Sequence, residues 1–105
     1  MLHIFKKCSA EILEFPIEVR EEVADAMARL QEGHMLSMPL SRPMPSVGRG
    51  VHELRFRHRS GIYRVVYCLA GVGIIYVLHA FKKKTQETPW QNIEISRRRL
   101  KGGIQ

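Results

Sequence analysis

Val51-His52-Glu53-Leu54-Arg55-Phe56-Arg57, then Ile62-Tyr63-Arg64-Val65-Val66-Tyr67-Cys68-Leu69, then Ile74-Ile75-Tyr76-Val77-Leu78-His79-Ala80-Phe81: these three runs decide the fold. The first alternates, with Leu54 and Phe56 on one face and Glu53, Arg55 and Arg57 on the other, as a strand with one wet side does. The second is apolar on both faces apart from Arg64, the pattern of a central strand. Arg59-Ser60-Gly61 and Ala70-Gly71-Val72-Gly73 are short, turn-forming connections, so the three strands form an antiparallel meander. Upstream, Ser9 is a candidate N-cap for a short first helix that Pro16 ends or kinks. Pro16 also suits the start of a second helix, whose Val19, Val23, Ala26, Met27 and Leu30 recur at spacings of three and four. Gly33 closes it, and residues 34–50, with Pro39, Pro43, Pro45, Gly48 and Gly50, read as a long loop. Downstream, Thr88 caps and Pro89 opens a last helix to about Lys101, with Ile93 and Leu100 inward and Arg97, Arg98 and Arg99 mostly outward. The sum is α–α–β–β–β–α: an α+β fold of two N-terminal helices on a small antiparallel sheet with a C-terminal helix, in one domain over residues 1–105.

Charge is the first functional signal. Residues 1–50 hold six Lys/Arg against seven Asp/Glu, and residues 51–105 hold eleven against three. The positive field therefore belongs to the strands and the C-terminal segment, which favours a polyanionic partner, nucleic acid first. The bland alternative is a solvated basic surface. No apolar run is long enough to span a membrane, and Lys6, Lys7, Glu11 and Glu14 break up any signal-peptide core, so a cytoplasmic protein is expected. Cys8 and Cys68 then read as buried thiols rather than a disulfide, and nothing has the spacing of a zinc site.

Arg64 is the most informative single residue, because a charge inside an apolar strand needs a partner or a purpose. Two readings stand side by side: an ion pair to Glu53 across the hairpin, or a phosphate contact made together with Arg55. His79, on the face of Val77 and Phe81, is either a satisfied, part-buried histidine or a proton carrier. Phe81 is either a core aromatic or a base-stacking one. Lys82, Lys83 and Lys84 are either a solvated loop or contacts to a nucleic-acid backbone. RNA needs little more than this to be cut. Its 2′-hydroxyl attacks the adjacent phosphate once a base takes the proton and cations steady the transition state, and no cofactor or metal is called for.

Glu53-Leu54-Arg55, Gly61-Ile62-Tyr63-Arg64-Val65-Val66-Tyr67, Leu78-His79-Ala80-Phe81-Lys82-Lys83-Lys84-Thr85 and Thr88-Pro89, taken in order, resemble the phage-derived HigB-like toxins of the RelE/ParE superfamily. That resemblance covers nearly the whole chain. It implies a RelE-like fold and the toxin of a type II toxin–antitoxin pair: a ribosome-dependent messenger-RNA endonuclease neutralised by a helix-turn-helix antitoxin, with a heterotetramer as one assembly this allows. It also implies that Arg55, Arg64 and His79 are catalytic and that Arg57, Phe81, Lys82, Lys83 and Lys84 bind RNA. Glu87 departs from the family, whose members often carry a basic residue there, as does the lack of a tyrosine near the end. A ParE-like gyrase inhibitor and a non-catalytic nucleic-acid-binding module are the competing functions.

Overall fold

The computed structural model describes residues 1–83 and 88–103. Lys84 and Glu87 lie outside them. The elements run β1 (Leu2–Ile4), α1 (Lys6–Leu13), α2 (Ile17–Gln31), β2 (Ser41–Pro43), β3 (Val51–His58), β4 (Gly61–Gly71), β5 (Ile74–Lys83) and α3 (Trp90–Gly103). They form one five-stranded sheet in the order β1-β5-β4-β3-β2. The meander β3-β4-β5 is antiparallel as expected, and β4 lies at its centre.

Two flanking strands add to the expected pattern. β1 pairs in parallel with β5, and β2 pairs antiparallel with β3 from inside the proline-rich stretch read as a loop. Three residues each is too short for a periodicity to show. Neither α1 nor α2 has a side-chain cap: α1 starts at Lys6 with Ser9 already inside it, and Pro16 takes the N-cap position of α2.

The sheet is covered on both faces. α1 and α2 pack on one, where Cys8, Val19, Val23, Met27 and Leu30 meet Leu54, Phe56, Tyr63, Val65, Tyr67 and Val77. Each large apolar side chain so buried stabilises by roughly 1.5–3 kcal/mol, far more than helix propensity supplies. The other face carries a smaller core, Val51, Val66, Cys68 and Leu78 beneath Ile93 and Leu100 of α3 and Met44 and Val47 of the loop. Beyond that small core the same face bears Arg55, Arg57 and Arg64.

Gly73 shows why the β4–β5 turn needs glycine. Its φ is +69°, and a Cβ there would stand 3.0 Å from the Gln31 carbonyl at the end of α2.

Candidate functional site

Pleat and register assemble the basic face. Arg55 and Arg64 are direct partners across β3 and β4, so their side chains rise from the same face side by side. With Arg57, Ile62, Pro39 and Leu40 they line a cleft of about 320 Å³. The Arg55 amide donates to the Leu40 carbonyl at 2.8 Å, which fixes the Pro39–Leu40 wall against β3. Arg57 is exposed, Arg55 is half-buried and Arg64 is buried.

Arg64 forms the ion pair to Glu53 across the hairpin that was one of its two readings. Its guanidinium donates to Glu53, and both side chains are almost completely buried. Glu53 serves more than one cation: Arg42 of β2, its cross-strand partner, approaches to 3.4 Å. Thr88 donates its hydroxyl to the second Glu53 oxygen at 2.8 Å and accepts from Arg42 at 3.2 Å. Thr88 thus ties the segment before α3 to the sheet. One carboxylate therefore faces Arg42, Arg64 and the nearby Arg55. Burial pushes the Arg64 guanidinium down from its ordinary value, Glu53 opposes that, and Arg55 and Arg42 add to it. The Arg64 Nε is buried and has no hydrogen-bond partner among the described residues.

The lysine run is divided by the strand. β5 extends through Lys83, so Lys82 and Lys83 point to opposite faces. Lys82 lies 6.0 Å over the Tyr63 ring on the side of α1 and α2. Lys83 is buried on the arginine side, where desolvation and then the charge of Arg64 push its ammonium down from the ordinary value.

His79 departs from its expected place. A register shift opposite Val66 and Tyr67 inserts Leu78 as an extra residue, pairing His79 with Val66 and Val77 with Tyr67. Val77 thereby enters the core under α1 and α2, while His79 stacks on Phe81 with ring centroids 5.1 Å apart. Phe81 in turn packs against the core beneath α3. His79 is 4% exposed. Its Nδ1 lies 3.1 Å from Glu11 and its Nε2 2.7 Å from Asn92.

Glu11 and Arg99, which the sequence offers only as surface charges, complete the β5 edge where β1 has ended. Glu11 accepts from the Ala80 amide at 3.1 Å, and Arg99 donates to the Leu78 carbonyl at 3.0 Å and to Glu11 at 2.8 Å. Side chains here do the work of a missing strand. Burial raises the Glu11 carboxyl, but hydrogen bonds from His79, Arg99 and the Ala80 amide outweigh it and hold the group at about 2. The available sequence signal was weak: Arg99 occurs in a run of three arginines, and its partner is 88 residues away.

The fold is RelE-like. The crystal structure of the isolated E. coli RelE toxin superposes with a TM-score of 0.54 at 19% identity, over 90% of this chain and 95% of that one. No curated protein matches the chain. The family model of phage-derived Gp49-like proteins matches residues 10–101, and the chain belongs to that family.

Proposed function

We propose that the chain is the toxin of a type II toxin–antitoxin pair and cleaves messenger RNA on the ribosome through the Arg55–Arg64 cleft. One observation carries this reading: two guanidinium groups stand side by side on adjacent strands, and the nearby Glu53 is already shared with Arg42. Like charges at that spacing are stabilised by an anion between them. In the reaction the 2′-hydroxyl gives its proton to the general base as its oxygen bonds to phosphorus. The bond from phosphorus to the 5′-oxygen breaks, that oxygen takes up a proton from water as it leaves, and negative charge builds on the non-bridging oxygens. Arg55 and Arg64 neutralise that charge, and exposed Arg57 holds the neighbouring backbone.

The proton-transfer role moves in this reading from His79 to Lys83. Both ring nitrogens of His79 are engaged, and Lys83 lies on the arginine side, where burial and then the charge of Arg64 push its ammonium down from the ordinary value, the direction a general base requires. His79 and Phe81 then position the end of β5. A helix-turn-helix antitoxin would neutralise the toxin by covering this basic face.

The test is a reconstituted translation reaction on end-labelled messenger. Arg55→Ala, at a half-buried position, should cut cleavage by about 10²–10³-fold with folding unchanged. Full cleavage by that variant would remove the cleft from the mechanism. Gyrase inhibition without cleavage would move the protein to the ParE-like class, and RNA binding without either effect to a non-catalytic module.

A further inference from the structure

Near the opposite edge of the sheet a second surface combines open backbone with unneutralised charge. Met1 accepts from the Ile75 amide and the Phe5 amide donates to Val77. Alternation along a parallel ladder therefore turns the N–H and C=O groups of Leu2 and Ile4 away from β5, toward the outside of the sheet. Natural edges are usually blocked by charge, proline or a covering loop. The other edge, β2, ends in Pro43 and carries Arg42, whereas β1 presents Ile4, which is 42% exposed.

Beside this edge a groove runs between β1 and α3. One part, of about 130 Å³, has His3, Tyr76 and Leu78 in its walls. The other, of about 360 Å³, has Ile95, Lys7 and Arg98, and Phe5 belongs to both. The cations here are uneven in their commitments. Arg97 is bound to Glu94 and the Ser46 carbonyl, and Arg99 to Glu11. Lys7 and Arg98 are exposed and make no ion pair among the described residues.

We infer that the β1 edge and this groove dock an extended acidic segment of a partner protein, which adds to the sheet as a sixth strand. Its backbone pairs with Leu2 and Ile4, its apolar side chains enter the groove beside Phe5 and Ile95, and its carboxylates meet Lys7 and Arg98. A polynucleotide could use the charges and aromatic rings, but its sugar–phosphate backbone cannot reciprocate alternating amide donors and carbonyl acceptors. The open edge therefore favours a peptide. This surface is separate from the arginine cleft, and docking here does not require RNA cleavage there.

The probe is a fluorescein-labelled peptide of strand length, about six to ten residues, with Asp or Glu alternating with Val or Leu. Titrated with the full chain, it should bind, and amide hydrogen exchange should slow at Leu2 and Ile4. Combined Lys7→Glu and Arg98→Glu should weaken binding at least about tenfold, about 1.4 kcal/mol. Ile4→Pro removes only an outward-facing N–H and should weaken binding comparably, with the melting temperature unchanged. Absence of binding would overturn the proposal, as would binding that leaves the Leu2 and Ile4 amides unprotected. Equal protection of those amides by a single-stranded RNA oligonucleotide would overturn it too, by making the surface a nucleic-acid track.

Discussion

Replacing Glu53 by glutamine removes the charge that neutralises Arg64 at a place water does not reach. Glu53 is 0% and Arg64 1% exposed, and Arg42, Arg55 and Lys83 add positive charge around them. A glutamine also turns an amide donor toward either Arg64 or Thr88, both of which donate to Glu53. Breaking a buried pair from one side costs about 3–5 kcal/mol, because the remaining charge stays desolvated. A chain of this size has about 5–15 kcal/mol of stability, so the melting temperature should fall by roughly 12–20 °C. Removing both charges at once differs in kind. Glu53→Leu with Arg64→Met takes away the two fully buried partners together, so Arg64 is not left as a buried charge without its carboxylate, and the double variant should cost at least about 1–2 kcal/mol less than the single one. Urea unfolding followed by circular dichroism measures both. A loss below about 1 kcal/mol for the single variant, or equal losses for single and double, would refute the claim that this carboxylate holds Arg64 in place. The double variant should fold and yet be inactive, because it lacks the arginine that lines the cleft.

Acid should release the clamp at the β5 edge. The Glu11 carboxyl is held at about 2 in the folded state against an ordinary 4.5. A depressed folded value contributes stability that is complete above about 4.5 and lost as pH falls toward 2. For a carboxyl 25% exposed, and so partly screened, about 1–2 kcal/mol is expected, and Glu11→Gln should flatten this part of the stability–pH curve. Cys8 is fully buried, and burial pushes its thiol up to about 12, so it should resist a thiol reagent at pH 8 until the chain unfolds. Fast modification of Cys8 in native protein would contradict its placement on the buried face of α1. Leu54→Ala, at a fully buried position facing α1 and α2, should cost about 2–5 kcal/mol by denaturant titration. A cost under about 1 kcal/mol would remove Leu54 from the core.

The meander and the stripe of α2 were legible because their periods are long enough to count. Leu54 and Phe56 against Arg55 and Arg57, or Val19 through Leu30, fix faces by spacing alone. What escaped depends on single-residue events. The extra Leu78 turns His79 away from the face of Val77, and no local signal in an apolar run marks a bulge. The strand continues through Lys83 and separates Lys82 from it, so a run that reads as one basic track belongs to two faces. Arg55 and Arg64 were legible as a pair because hairpin register follows from the short turn, but the division of Glu53 between Arg42 and Arg64 depends on β2, which is too short to see. Glu11 and Arg99 meet only because α1 and α3 converge on one sheet edge, and contacts 88 residues apart leave no pattern along the chain.

If the arginine face cuts RNA by attack of the RNA's own 2′-hydroxyl, as proposed, a messenger carrying one 2′-deoxynucleotide on the 5′ side of the mapped cut, translated in the presence of this protein, should escape cleavage at that position. Loss of that one cut, with neighbouring cuts retained and a cyclic 2′,3′-phosphate at their ends, is the predicted result. Undiminished cutting at the deoxy position would contradict it.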